Sequence, residues 1–391
     1  MVFVGDLQAP SEVVFGKPGP GTNPFAVIEQ TQAIREKPYL TIDGTGAYSV
    51  QVPALALNTQ GPTWTGPQPS ATTSIPINKF YIAKPEQNNA DNAANLNSKL
   101  QEGYHLILTP GIYPVASSVK VNYPNTIILG LGMATLTPTN KTPAMEVADV
   151  DGVSVSGILF DAGPQNSPSI MIVGPQGSNQ NHAANPTTIS DVSFRVGGAA
   201  VATAQNCLTI NSNNVIIDNA WIWRADHGAQ ANFVGWDINP SDNGLTVNGN
   251  GVTAYGLFVE HFKGYQTMWN GQQGSTYFYQ SEIPYDIPSQ AAWTQPSGEF
   301  GFPSYNVSDQ VTTHTAKGLG VYSVFSAAAN IQLENAISTP TGPGIDMHDM
   351  VTVWIPGNPP QIPTSINHVL NGRGATADSS TGPGNPSFLE S

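Results

Sequence analysis

Two glutamates 22 residues apart, Glu260 and Glu282, stand in the most polar and aromatic stretch of the 391-residue chain. That stretch, 221–293, also holds five of the seven tryptophans, Trp221, Trp223, Trp236, Trp269 and Trp293. Carboxyl groups beside aromatic faces suit a neutral sugar, whose C–H faces stack on rings while its hydroxyls bond to carboxylates. In a repeat fold with turns about 22 residues long, the two glutamates would occupy equivalent positions on neighbouring strands, ~4.8 Å apart. Like charge and aromatic burial both raise a carboxyl pKa. An acid that keeps its proton near neutral pH can protonate a glycosidic oxygen. Two separate, solvated side chains at strand ends would show the same spacing.

Other residues of the stretch admit two readings each. Asp226-His227 fits a catalytic dyad or a hydrogen-bonded turn, and the pair is a candidate for sugar binding. Arg224 is one of few cations nearby and would pair with Asp226 or another carboxylate, or touch substrate. Tyr285, Trp269 and Trp293 are candidates for sugar contact, against a default of core packing. No histidine pair has metal-ligand spacing and no cysteine cluster exists, so neither a metal nor another cofactor is expected. Asp346-Met347-His348-Asp349 reads as a polar strand edge rather than a calcium or zinc site. The single cysteine, Cys207, lies in an apolar run and reads as a buried thiol. Gly130-Leu131-Gly132 lacks the G-K-[ST] of a phosphate loop, and no Gly-x-Ser-x-Gly elbow supports a serine hydrolase.

Composition narrows the partners. Lys and Arg total 13 against 27 Asp and Glu, a net charge of −14. Nucleic acid calls for a basic stripe and is excluded as the expected partner; anionic polysaccharides such as pectin are disfavoured for the same reason. No apolar run approaches the roughly 18 residues of a membrane span, so no membrane partner is expected. The opening Met1-Val2-Phe3-Val4 lacks the basic and long apolar regions of a signal peptide and reads as the inside of a strand, which suggests a fragment or a late gene start.

The elements that must position these residues are short strands. With 39 glycines, 33 prolines and only 10% charged residues, the chain is suited to many strands and turns. Strand-like runs at 105–109, 126–129, 153–160, 189–196, 215–223, 252–259 and 275–280 are separated by Gly, Asn, Asp and Pro. Those at 151–161, 214–223 and 251–260 share one shape: strand, small polar corner, strand. Such self-similarity predicts stacked repeats burying one continuous core. The expected fold is all-β, a right-handed parallel β-helix, with a β-sandwich as the alternative. One helix is expected over 88–102, capped by Asn88 or Asn89, with a stripe of Ala90, Ala93, Leu96, Asn97 and Leu100; it would close the open end of the solenoid. The expected organisation is 1–76 as strands and a Pro/Thr-rich docking segment carrying Trp64, 77–373 as the β-helix, and 374–391 as a flexible tail.

Several segments in order resemble the second β-helix half of glycoside hydrolase family 55, the exo-acting β-1,3-glucanases or laminarinases. They are Arg35-Glu36-Lys37-Pro38-Tyr39, Leu106-Ile107-Leu108-Thr109-Pro110-Gly111-Ile112-Tyr113, Leu129-Gly130-Leu131-Gly132-Met133-Ala134-Thr135, Trp223-Arg224-Ala225-Asp226-His227-Gly228, Gly256-Leu257-Phe258-Val259-Glu260-His261 and Glu282-Ile283-Pro284-Tyr285-Asp286, in a likeness running from about residue 1 to about residue 373. The resemblance implies a pectate-lyase-like solenoid that removes glucose from the non-reducing end of β-1,3-glucan with inversion. It implies Glu282 as general acid, Glu260 as a second acid of the cleft, and Tyr285 as an aromatic beside the developing positive charge. It also implies a partner, the family's first β-helix, which is missing from this chain and is expected to help hold the nucleophilic water. Secretion is implied too, with weak support from the glycosylation patterns at Asn140 and Asn306. The alternatives are a non-catalytic glucan-binding half, and a pectinase or polysaccharide lyase, for which the chain offers few basic residues.

Overall fold

The computed structural model describes residues 1–11, 24–62, 71–85, 92–324, 330–355, 364–379 and 386–391. Trp64, Asn88, Asn89 and Ala90 lie outside the described residues. Two long sheets dominate, one of twelve strands and one of ten. Within each sheet a strand pairs in parallel with strands one full coil before and after it, while the intervening chain passes through the other sheet. This is a parallel β-helix, and the sandwich alternative falls because its sheets would be antiparallel.

All seven strand-like runs named above fall in the twelve-stranded sheet, as in Thr188–Val196, Ile216–Arg224, Thr253–Glu260 and Gly274–Glu282. The strands of the other sheet run to only three to five residues along most of its length, for instance Met171–Val173, Asn206–Ile210 and Thr267–Trp269. Parallel register stacks like on like. Phe160, Phe194, Ile222 and Val259 form one inward column, with Phe160 and Phe194 stacked at 4.9 Å. Cys207 is buried in this core, and burial pushes its thiol up.

A left-handed residue recurs at one level of the long sheet. Asp191, Asn219, Gly256, Phe278 and Gly318 all have φ between 50° and 74°, and each is skipped by the strand pairing. An extra residue in a strand shifts the in–out alternation by one. Inward positions in Ile216–Arg224 therefore run Ile217, Ala220, Ile222, and Trp221 and Trp223 turn outward. The same shift turns Phe258 with Glu260, and Gln280 with Glu282, outward on the next two strands.

The helix spans Ala93–Gln101 and buries Ala93, Leu96 and Leu100 against the first coil. Its cap is Asn92, whose Oδ1 accepts from the Asn95 amide at 3.1 Å. Asn97 ties it to the first strand of the ten-stranded sheet, donating to Ser118 O and accepting from the Lys120 amide. The N-terminal strands lie on the outside of the long sheet: Ile34 and Ala56 pack on Ile216, Tyr255 and Tyr277, and Val50 packs on Ile107, Ile127 and Leu129.

Within the segment expected as a flexible tail, 374–391, the described residues include two short strands. Ala377–Asp378 pairs antiparallel with Ser365–Leu370, and Ser387–Leu389 pairs antiparallel with Ile345–Ile355. The last coil would otherwise leave its edge hydrogen-bonding groups unpaired, and these two short strands close it.

Candidate active site

The register sets the site. Trp223, Glu260, Glu282 and Tyr322 are paired one to the next on four successive strands, and so are Trp221, Phe258, Gln280 and Gly320. Both rows face outward. Glu260 and Glu282 thus hold equivalent positions on adjacent coils, as their 22-residue spacing requires. Gly320 is empty for a reason: a Cβ there would come within 2.9 Å of the Tyr322 ring, which lies over it.

Glu260 accepts from Trp221 Nε1 at 2.9 Å. Its carboxyl is pushed up to about 7, first by burial and then by the charges of Glu282 and Asp226, against the hydrogen bonds of Trp221 and Gln280. Glu282 accepts from Gln280 Nε2 at 3.2 Å and from the Tyr285 hydroxyl. Burial, followed by the contact with Glu282, raises the Tyr285 phenol well above its ordinary value.

Asp226 enters from the loop after Ile216–Arg224. Its Oδ1 accepts from Trp223 Nε1 at 3.3 Å and lies 2.8 Å from His227 Nδ1. The His227 ring is largely exposed and sits 5.0 Å from the Trp223 ring. Asp226, His227 and Tyr285 are therefore gathered with the two glutamates, as the sequence suggested.

Three candidates are not. Arg224 is 1% exposed and cannot reach a ligand. It follows Trp223 in the strand and so points inward, where it makes a two-pronged pair with Asp286 at 3.0 and 2.7 Å. Its other donors go to the carbonyls of Asn239, His261 and Gly235. It ties the loop bearing Asp226 to the loop bearing Tyr285: the expected pairing with a nearby carboxylate is met by Asp286, and the alternative of sugar contact is corrected to a buried brace. Trp269 and Trp293 are 0% exposed. Trp269 points inward from a three-residue strand of the other sheet, its ring 4.9 Å from that of His314. Trp293 ends a single 3-10 turn folded back on the core, donating to Lys263 O at 3.0 Å. Both are core residues: apolar ring area outweighs the single N–H, which Trp293 satisfies and Trp269 leaves buried without a partner.

The sequence reading left out Trp221, Trp223, Gln280 and His261 as site residues. Trp221 is 44% exposed and stacks on Trp223 at 5.3 Å with an 18° interplanar angle, an aromatic platform beside Glu260. Their i, i+2 spacing in one strand was the available signal. Gln280 sits two residues before Glu282 on the same face. His261 is buried, at φ 70°, with Nε2 3.7 Å from both Asp226 Oδ1 and Glu282 Oε2.

A family model described as the LAM55 pectate lyase-like domain matches residues 80–282. The chain is 41% identical over 371 residues to an exo-β-1,3-glucanase of Streptomyces sp. (strain SirexAA-E / ActE), covering 95% of this chain and 58% of that protein. Its structure superposes on that of sacteLam55A from Streptomyces sp. SirexAA-E with a TM-score of 0.91 at 40% identity, over 100% of this chain and 67% of the other. An alanine variant of sacteLam55A in complex with glucose matches with a TM-score of 0.90 at 39% identity, over the same shares. The chain thus spans less than two thirds of the length of the curated relative. The matched domain and the length of the alignment establish that the chain belongs to glycoside hydrolase family 55.

Proposed function

We propose that the chain carries the catalytic carboxyls of a glycoside hydrolase that removes glucose from the non-reducing end of β-1,3-glucan with inversion. The observation that carries this reading is the in-register pair Glu260 and Glu282, one coil apart, beside the exposed Trp221–Trp223 stack. The relatives bearing the name exo-β-1,3-glucanase support the substrate class.

Glu282 donates the proton to the glycosidic oxygen in this reading. Glu260 is pushed up to about 7, first by burial and then by the charges of Glu282 and Asp226, so this acidic cluster keeps a proton near neutral pH. Backbones one strand apart are ~4.8 Å from each other, whereas acid and base in inverting enzymes stand roughly 6.5–9.5 Å apart. Glu260 is therefore a partner of the acid on the same side of the sugar, with Asp226 adding to the field, rather than the base. The attacking water belongs on the opposite face, and the groups holding it come from across the cleft, from the family's other β-helix. Tyr285 lies beside the developing positive charge, Trp221 and Trp223 stack on sugar, and His227 stands at the rim. A polymeric substrate, too large to enter a cell, would support action outside it.

The test is glucose release from laminarin, with proton NMR to read the first anomer formed. The expected product is α-glucose, lost in Glu282→Gln with the fold intact. Full release by that variant would overturn the assignment. A second reading, a glucan-binding half without activity, is favoured by the 58% share of the relative that the chain spans. Retention on insoluble β-1,3-glucan with no sugar release, restored by adding the other half, would select it.

A further inference from the structure

Among the described residues, His261 is the buried titratable side chain that touches the site without a role in the reading above. It follows Glu260 directly, and its left-handed backbone, φ 70°, swings the ring inward beneath the carboxyls. The residue is anchored through its backbone and its ring edge. Its carbonyl accepts from Arg224 NH1 at 3.1 Å, its amide donates to Glu282 O at 2.8 Å, and its edge meets Tyr285 at 4.3 Å between centroids.

The tautomer follows from one contact. Nδ1 lies 3.2 Å from the carbonyl oxygen of Ile283. A carbonyl only accepts, so Nδ1 carries the proton. Burial, the largest influence, lowers the pKa of this imidazole; the charges of Asp226 and Glu282 pull it up and Arg224 pushes it down. A neutral ring with its proton on Nδ1 has a bare lone pair at Nε2. That lone pair faces Asp226 Oδ1 and Glu282 Oε2, each 3.7 Å away, which is too long for a hydrogen bond. Catalytic contacts of this kind tighten when substrate binds. The charged and titratable neighbours facing the ring are Asp226, Glu282, Arg224 and Tyr285, with Glu260 and Asp286 behind them.

We propose that His261 is a positioning residue for the acid proton: a neutral imidazole, held by the Ile283 carbonyl, whose bare Nε2 offers an acceptor to a proton carried by Glu282 or Asp226. A lone pair stabilises a neighbouring carboxylic acid and opposes a carboxylate, so the ring favours the protonated state that a general acid needs. This rests on the proposed reading of the site, in which Glu282 is the acid.

The direct test needs no substitution and no activity. Ring nitrogen-15 shifts of His261 in the whole chain are expected to report the neutral Nδ1–H tautomer between about pH 5 and 8. An Nε2–H tautomer or an imidazolium over that range would overturn the proposal. A second test follows the carboxyl carbon-13 titration of the Glu260–Glu282 pair in wild type, His261→Phe and His261→Gln. Phenylalanine keeps the ring and burial but offers no acceptor, and Phe278 shows that this fold holds phenylalanine at φ 65°. The upper midpoint is expected to fall by about half a unit to one unit in His261→Phe, with part of the shift restored by the glutamine oxygen. An unmoved midpoint in a folded His261→Phe chain would contradict the proposal. The two readings fail separately: laminarin hydrolysis by Glu282→Gln removes the proposed acid whatever the histidine does, whereas a wrong tautomer with an inactive Glu282→Gln removes only the role of His261.

Discussion

Two buried histidines in this chain each stand between two carboxylates, and their wiring is opposite. His182 bonds Asp151 through Nδ1 at 2.7 Å and Asp149 through Nε2 at 2.9 Å. Asp149 is itself saturated, accepting from Ser212 Oγ at 2.7 Å and from the amides of Asn179 and Gln180. Burial pulls the His182 pKa down most, but its two carboxylate bonds outweigh that and the net shift is upward. His261 bonds a carbonyl instead, keeps its two carboxyls at 3.7 Å, and shifts downward. A completed network fixes a loop, here 175–186, whose Asn185 and Pro186 in turn hold Arg35 of the N-terminal strands. An incomplete one keeps a proton within reach of substrate. The same two groups, imidazole and carboxylate, give structure in one place and proton chemistry in the other.

Breaking the frames should show the difference. The largest effect is expected from Arg224→Met. It strands the Asp286 carboxylate and three carbonyls, and removing one member of a buried pair costs about 3–5 kcal/mol. Urea unfolding would measure it, and a loss under about 1 kcal/mol would remove the brace from the account. His182→Ala comes next, at about 2–3 kcal/mol at low pH for an unpaired, largely buried Asp149. Its sign with pH is fixed by the raised pKa: the stabilisation is full below the unfolded value of 6.5 and fades as pH rises through the folded value. The gap between wild type and variant should therefore be wider at pH 5.5 than at pH 8.5.

Changes at the site itself should leave stability intact or improve it. Trp221→Ala removes an exposed ring, so unfolding should move by no more than about 0.5 kcal/mol. Laminarin binding, read by titration calorimetry, should weaken by about threefold to tenfold, the worth of one aromatic contact. Glu260→Gln should act in the opposite direction. A carboxyl raised to about 7 in the folded chain opposes folding once pH exceeds its unfolded value of 4.5, fully so above 7. The variant should melt about 1–3 °C higher at pH 8 and no higher at pH 4. A lower melting temperature at pH 8 would mean that the strain on this carboxyl is absent.

The sequence carried the Glu260–Glu282 pairing because the chain between them is one unbroken coil, crossing the second sheet only at Thr267–Trp269. Asp226 was harder to place, since an 18-residue excursion, 225–242, intervenes before the next strand. Arg224 and the tryptophans show where pattern reading stops. One left-handed residue, Asn219, decides that Trp221 and Trp223 face out while Ile222 and Arg224 face in. Its asparagine is a common left-handed residue, but the level at which it resets the strand is visible only once the coils are stacked. Trp269 sits in a strand of three residues, too short for any alternation to show. The closing strands of the tail are two and three residues long within a Gly/Ser/Pro-rich segment, and only the unpaired edge they cover explains them.

The division of labour within the acidic pair is tested most directly by supplying a leaving group that needs no proton. Hydrolysis of laminarin and of β-glucosyl fluoride should be compared in wild type, Glu282→Gln and Glu260→Gln, each with the other β-helix present if the chain alone is inactive. Glu282→Gln is predicted to lose laminarin hydrolysis by at least about a hundredfold, the low end for a general acid, while keeping most of its activity on the fluoride. Equal loss on both substrates, or rescue by the fluoride in Glu260→Gln instead, would contradict Glu282 as the proton donor.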